Sequence, residues 1–277
     1  MSDAGNKSAW RDLRVRLLSA IVLVAVAGIG IGAGGLLYQI LIIGVMAGMA
    51  AEAATLLGVS VKSWRGIVYV LWALGAGLAA ATGRWDTFPI FCVTSLVFGA
   101  PLCAVMCVIV LSGTALQWLR LGGVMPVLFV VCVVVASDSC AYLTGRLVGG
   151  PKLAPRISPG KTRSGAVGGL VGAVLAGSLI AQISGQGGIA TAAVWAALLG
   201  VAAQTGDLAE SAMKRALGVK DSGTLLPGHG GLLDRFDGLV AAAPLAAVAS
   251  LCVGAGVPFW QAGLHAVFAA LAGKLPG

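Results

Sequence analysis

The chain has 277 residues, of which 58% are hydrophobic and only 10% are charged, and its formal net charge is +8. Because ordinary soluble domains carry roughly 25% charged residues, this composition excludes that class and predicts an integral membrane protein. The basic residues lie at the ends of apolar segments, which indicates orientation in a membrane and contact with anionic lipid rather than binding of nucleic acid.

The apolar segments, taken in chain order, predict an all-α polytopic membrane protein with no soluble domain. A spanning helix needs about 20 apolar residues, and by that measure the chain has about nine transmembrane helices. The predicted spans cover residues 17–34, 36–57, 66–82, two short helices within 88–119 broken at Gly99-Ala-Pro101, 122–142, 166–184, 189–206 and 238–256. Residues 258–273 are either a further span or an interfacial helix.

Basic residues in 1–16 place the N-terminus in the cytoplasm, because cytoplasmic loops are rich in Lys and Arg. The same rule places two polar segments, 144–165 and 207–237, on the cytoplasmic side. We therefore divide the chain into an N-terminal transmembrane region, 1–120, and a catalytic transmembrane region, 121–277, that contains both segments.

Five of the ten acidic residues of the chain lie in the polar segment 207–237: Asp207, Glu210, Asp221, Asp234 and Asp237. Asp207 and Lys214 lie seven residues apart, with Glu210 and Ser211 between them, so a helix would present all four on one face. Asp234 and Asp237 are spaced by one turn at the start of the next span. Two helix ends would then bring three carboxylates together around a cation, and oxygen ligands suit Mg²⁺.

Cationic side chains surround these acids in the sequence: Lys161, Arg163, Lys214, Arg215, Lys220 and Arg235. A carboxylate–metal centre ringed by cations is the arrangement that phosphoryl or nucleotidyl transfer requires. Pro227-Gly-His-Gly-Gly231 supplies backbone that can approach a phosphate closely, and we interpret His229 as functional. The segment from Ser158 to Thr162 is only superficially similar to a P-loop, because the G-x-x-x-x-G-K frame is missing.

Several residues have a second interpretation. Glu52 is either a functional intramembrane carboxylate or an ion-pair partner of Lys62 or Arg65. Asp234 and Arg235 also fit a simple helix N-terminal charge pattern. The six cysteines are predicted to be buried thiols. A transporter or channel is a rival class, but it would distribute charge along a path through the membrane.

The polar segment resembles a known signature. Ser-x-x-Lys-Arg-x4-Lys-Asp-x-Gly-x-x-Leu-Pro-x-His-Gly-Gly-x-x-Asp-Arg-x-Asp is matched at every fixed position within residues 211–237. Supporting matches are Gln204-x-Gly-Asp-Leu-x-Glu-Ser211, Asp138-x-x-Ala-Tyr-x-x-Gly-Arg146 and Ile157-Ser-Pro-x-Lys-Thr162. The chain is thus similar to phosphatidate cytidylyltransferases, or CDP-diacylglycerol synthases. It departs from many relatives at Arg163-Ser164, where they carry Trp-Glu, and at Gly160.

The resemblance implies that CTP and phosphatidic acid react to give CDP-diacylglycerol and pyrophosphate. The implied partners are these two substrates and the lipid bilayer, the protein is a homodimer, and it lies in a bacterial-type cytoplasmic (inner) membrane. The implied cofactor is Mg²⁺, with K⁺ as a candidate second cation. An alternative within the same architecture is a CTP-dependent polyprenol or dolichol kinase.

Resemblance, position and chemistry together assign the site residues. The catalytic residues are Asp207, Lys214, Asp234 and His229. The substrate-binding residues are Ser158, Lys161, Ser211, Arg215, Lys220, Asp221 and Arg235. The metal ligands are Asp207 and Asp234, with Asp237 as a further ligand or a group behind the ligands.

Overall fold

The computed structural model describes residues 19–186, 188–223, 225–226, 230–253 and 257–273. Within these ranges seven helices are long and apolar enough to cross a membrane. They are α2 (Gly35–Leu56), α3 (Trp64–Ala81), α5 (Ala100–Leu121), α6 (Val124–Leu147), α7 (Arg163–Ile183), α8 (Ile189–Ala216) and α9 (Leu233–Val253). Shorter helices are α1 (Ser19–Ala33), α4 (Phe88–Thr94) and α10 (Leu264–Leu271). The multi-span helical class is confirmed, whereas the count of nine spans is not.

The predicted break at Gly99 is present, but only one of its two flanking helices is short. Gly99 has φ +96°, a backbone conformation that glycine adopts readily. α4 and its flanking 3₁₀ turns end at Phe98, whereas α5 runs for 22 residues. Pro101 lies in the first turn of α5, where its missing N–H costs nothing. The described tail holds the eight-residue α10, far short of the about 20 residues that a span needs.

The segment 144–165, predicted as a loop, contains an antiparallel hairpin. Strand β1 (Lys152–Ala154) pairs with β2 (Ser158–Thr162). The turn closes where Ile157 N donates to Ala154 O at 3.1 Å, with Pro155 in the position that proline favours. Short strands that contain proline and lysine lack the apolar alternation that marks a strand in sequence, so the pattern did not predict them. β2 leads directly into α7, whose first turn is capped by Thr162 Oγ1 accepting from Gly165 N at 3.0 Å.

The chain divides into two compact units. The first comprises the described residues up to Val110 together with Val219–Arg235. The second comprises Leu111–Gly218 and the described residues from Phe236 onward. Helices α5 and α9 each contribute residues to both units.

Aromatic and polar side chains connect α3 to neighbouring helices of the first unit. The fully buried Tyr69 of α3 donates its hydroxyl to Leu102 O at 2.8 Å, and its ring meets that of Phe98 edge-to-face at 5.1 Å. Arg65 Nη2 donates to Phe98 O at 2.6 Å. Both contacts join α3 to the junction between α4 and α5. The six cysteines are all free thiols; Cys103 is buried and the other five are partly exposed.

Small residues let the helices of the second unit approach closely, as is typical of helices packed in lipid. A Cβ added at Gly169 of α7 would lie 2.8 Å from both Ser137 O of α6 and Gln204 Nε2 of α8. Gly169 therefore marks a place where three helices meet at backbone distance. Near the C-terminal end, Phe129 stacks on Trp260 with ring centroids 4.8 Å apart.

Candidate active site

Three carboxylates from three helices form an acidic cluster in the second unit: Asp138 on α6, Asp207 on α8 and Asp237 on α9. Asp207 interacts electrostatically with both of the other two, and Lys161 of β2 acts on all three. The Lys161 Nζ atom lies 2.5 Å from Asp207 Oδ2, and each side chain is 27% exposed. One ammonium thus acts on three carboxylates and pairs directly with one of them, Asp207.

The sequence around Asp207 also explains why these helices meet there. Gly206 faces the backbone carbonyl of Asp237, and a Cβ at this glycine would lie 2.9 Å from Ala241 Cβ of α9. Gly238 places α9 equally near α6, since its Cβ would lie 2.8 Å from Val134 Cγ1. The glycines beside the two aspartates therefore permit the close helix contacts that bring the carboxylates together.

The polar face predicted for the end of α8 is present. The predicted span ends at residue 206, but α8 continues to Ala216, and its side chains interact one turn apart. Ser211 Oγ donates to Asp207 Oδ1 at 3.3 Å, and Lys214 Nζ lies 2.5 Å from Glu210 Oε2. The i, i+4 spacing accounts for both contacts.

The hairpin of β1 and β2 carries two predicted phosphate-binding residues, Ser158 and Lys161, and is hydrogen-bonded to α8. Arg215 Nε donates to Ile157 O at 3.3 Å, next to the half-buried Ser158 at the start of β2. Lys161 follows three residues later in the same strand. Ser158 and Lys161 are therefore positioned by the extended strand β2 and not by a phosphate-binding loop.

Four of the other predicted residues lie in the first unit. Asp234, in the first turn of α9, accepts hydrogen bonds from Gly231 N at 2.9 Å and from Ser222 N at 3.0 Å. This is the helix N-terminal arrangement that the sequence allowed as a structural interpretation of Asp234, since helix N-termini favour anions. The first unit also holds Lys220, Asp221 and Arg235, which are exposed. His229 lies outside the described residues.

The donor set of the acidic cluster fits a hard divalent cation. Within the described ranges, no group of three or more His, Cys, Asp or Glu side chains is arranged to hold one metal ion together. Mg²⁺ in nucleotide sites usually takes only one or two carboxylates and completes its shell with water and phosphate oxygens. A pair of carboxylates from Asp138, Asp207 and Asp237 is therefore enough for this metal.

Sequence reasoning missed Asp138 as a site residue. It belongs to one of the matched motifs, but only the acids of the densest polar segment were assigned to the metal. The available signal was a carboxylate inside an apolar span, which is a functional candidate by default. Its proximity to Asp207 depends on the packing of α6 against α8, which spacing along the chain does not reveal.

Fold and site together define a multi-span helical membrane protein with a lysine-paired acidic cluster among three of its long helices. The model of the Cytidylyltransferase family matches residues 14–253, and the chain belongs to this family. The family resemblance predicted from the polar signature is thereby confirmed.

Individual relatives match about half of the chain. A segment of 123 residues is 55% identical to the phosphatidate cytidylyltransferase of Brucella suis and covers 44% of this chain and 46% of that protein. The phosphatidate cytidylyltransferase of Haemophilus influenzae is 42% identical over 127 residues, which is 44% of each chain. That of Staphylococcus saprophyticus is 46% identical over 131 residues, 46% of this chain and 49% of the relative. The chain thus spans about half the length of the curated relatives it matches.

Proposed function

We propose that the protein is a CTP:phosphatidate cytidylyltransferase, which forms CDP-diacylglycerol and pyrophosphate. The observation that carries this proposal is the cluster of Asp138, Asp207 and Asp237 with Lys161 bound to Asp207, found in a member of the Cytidylyltransferase family. The names of its relatives support the same activity. The full signature in residues 211–237 supports it independently.

The reaction is one displacement at phosphorus. An oxygen of the phosphatidic acid phosphate forms a bond to the α-phosphorus of CTP. The bond from that phosphorus to the oxygen bridging to the β-phosphate breaks, and pyrophosphate leaves with the electron pair. Because a phosphate monoester is mostly dianionic near pH 7, its attacking oxygen requires no dedicated base.

The chain's own residues hold and orient the phosphates. Lys161 and Ser158 in the hairpin contact substrate phosphate, while Lys214 and Arg215 on α8 bind the triphosphate. Their positive charges stabilise the charge that develops on the leaving pyrophosphate. Triphosphate binding by Lys220 stays a prediction. Ser211 donates a hydrogen bond to Asp207 and so fixes the orientation of that carboxylate within the acidic cluster.

The acidic cluster is the proposed metal site. Asp207 and Asp237, with Asp138 beside them, would hold Mg²⁺, which when bound would offset the negative charge of the substrate phosphates. Metal binding by Asp234, substrate binding by Asp221 and Arg235, phosphate contact by His229 and a second cation such as K⁺ stay predictions.

The protein is further proposed to lie in the cytoplasmic membrane as a multi-pass homodimer, with its N-terminus and the two polar segments in the cytoplasm. This location gives the site access to CTP from the cytoplasm and to phosphatidic acid from the bilayer. Labelling of single introduced cysteines from either side of the membrane tests the orientation. The mass of the purified protein in detergent tests the dimer.

Purified protein supplied with CTP, Mg²⁺, phosphatidic acid and a polyprenol tests the activity, with an Asp207→Asn variant as the negative control. The proposal expects CDP-diacylglycerol and pyrophosphate in equal amounts. A lipid kinase would instead release CDP and phosphorylate a polyprenol, and that result would replace the proposed function.

A further inference from the structure

Glu52 is a buried carboxylate in the apolar helix α2, and it is bound to the polar segment of the first unit. Its side chain is only 5% exposed, and Oε2 accepts a hydrogen bond from Leu233 N at 2.9 Å. Leu233 is the first residue of α9, where backbone N–H groups have no partner within the helix. Arg65, one of the two ion-pair partners considered from sequence, donates instead to Phe98 O.

Two glycines of the polar segment pack directly on this carboxylate. A Cβ added at Gly223 would lie 2.8 Å from Glu52 Oε1, and one added at Gly231 would lie 2.8 Å from Oε2. One turn earlier in α2, a Cβ at Gly48 would lie 2.8 Å from Leu232 Cδ2. The three glycines therefore leave room for the Glu52 carboxylate and the Leu232 side chain between α2 and the segment.

The same segment carries Asp234, the predicted metal ligand. Gly231 N and Ser222 N donate to Asp234, while Leu233 N donates to Glu52. Glu52 and Asp234 therefore accept from backbone amides only two residues apart, Leu233 N and Gly231 N. A shift of that backbone away from Glu52 would move Asp234 with it.

We propose that Glu52 is a positioning residue for nucleotidyl transfer: it holds the N-terminus of α9, and through it Asp234, in the reactive arrangement. This inference rests on the proposed function. Glu52 Oε1 has no hydrogen-bond partner among the described residues, and burial of such an oxygen is costly. We therefore expect Glu52 to contribute more to the position of this segment than to the stability of the fold.

The test compares Glu52→Ala and Glu52→Gln with the wild type. Glutamine retains an oxygen that accepts from Leu233 N, whereas alanine does not. We expect Glu52→Ala to lower kcat by about 10²-fold, as misplacement of a reacting group by about 1 Å can do, with KM for CTP changed by less than about threefold. Glu52→Gln should retain activity within about fivefold, because the acceptor role is preserved. Gln39→Ala, which removes a side-chain hydrogen bond to Ala81 O elsewhere in α2, is the matched control and should leave kcat unchanged.

Amide hydrogen exchange, measured without substrate, separates the two proposals. Peptides that contain Ser222, Gly231 and Leu233 should exchange faster in Glu52→Ala but not in Glu52→Gln or Gln39→Ala. Unchanged exchange and kcat in Glu52→Ala would overturn the positioning role, as would a Glu52→Gln variant as inactive as Glu52→Ala. If the wild type forms no CDP-diacylglycerol, the proposed function fails, and the exchange data then decide alone whether Glu52 holds the segment.

Discussion

The Nζ atom of Lys161 in β2 lies 2.5 Å from Oδ2 of Asp207 in α8. This pair joins the hairpin to the acidic cluster, so one contact links the predicted phosphate-binding residues to the predicted metal ligands. Because both side chains are only partly exposed, the pair is less screened by solvent than an ion pair on an open surface.

Removal of the Lys161 charge should affect turnover strongly. We expect Lys161→Met to lower kcat by about 10²-fold, since a preorganised cation at a phosphoryl centre contributes on that order. Lys152→Met is the matched control, because Lys152 is an exposed lysine of the partner strand β1. Steady-state assay of CDP-diacylglycerol measures both variants, and equal activity of Lys161→Met and Lys152→Met would contradict the role assigned to the pair.

Asp138 should influence how enzyme activity depends on the Mg²⁺ concentration. Asp138→Asn removes one of the negative charges that act on the cluster, so we expect the Mg²⁺ concentration for half-maximal activity to rise about tenfold, within the range known for groups beside metal ligands. Chelation should abolish turnover of the wild type, and added Mg²⁺ should restore it.

The control for that experiment is Asp86→Asn, since Asp86 is an exposed acid in the first unit and belongs to no cluster described above. Its Mg²⁺ titration should coincide with that of the wild type. An unchanged Mg²⁺ requirement in Asp138→Asn would show that this carboxylate takes no part in cation binding.

Helix packing beside the site should be sensitive to a single methyl group. Gly169→Ala would place its Cβ 2.8 Å from backbone and side-chain atoms of two neighbouring helices, and overpacking of this kind costs about 1–3 kcal/mol. We expect the melting temperature in detergent to fall by several degrees. Gly44→Ala, where an added Cβ meets nothing within 4 Å, should melt at or slightly above the wild-type temperature. Equal melting of the two variants would argue against the packing described for α6, α7 and α8.

The departure from the family pattern at Ser164 should matter for the hairpin. Ser164 Oγ donates to Gly149 O and is hydrogen-bonded to Thr162 Oγ1 at 3.1 Å, so it ties the base of the hairpin to the start of α7. In Ser164→Ala, amide exchange in β1 and β2 should accelerate several-fold, because a net hydrogen bond contributes about 0.5–1.5 kcal/mol. Ser184→Ala at the other end of α7 is the control and should leave hairpin exchange unchanged. If amide exchange in β1 and β2 is the same in Ser164→Ala as in the wild type, other contacts hold the hairpin to α7.

Features set by local spacing could be predicted from the sequence. Long apolar runs predicted most of the spanning helices, and Gly99-Ala-Pro101 predicted a helix break. The spacing of Asp207, Ser211 and Lys214 predicted their common helix face. In each case neighbouring residues decide the structure, so a pattern within one or two turns is sufficient.

Features that depend on distant residues could not be predicted in this way. The approach of Asp138 to Asp207 depends on glycine-mediated packing of separate helices. The hydrogen bond from Leu233 N to Glu52 Oε2 joins residues 181 positions apart. The hairpin was missed for another reason, since its strands are short and lack apolar alternation, and β2 contains a proline.

The most direct test of the central claim follows the phosphorus atoms of CTP. Purified protein is incubated with phosphatidic acid, a polyprenol, Mg²⁺ and CTP labelled either at the α- or at the γ-phosphorus. A cytidylyltransferase transfers the α-label to the lipid and releases the γ-label as pyrophosphate. Appearance of the γ-label in a lipid product, with the α-label released as CDP, would contradict the account and identify a kinase.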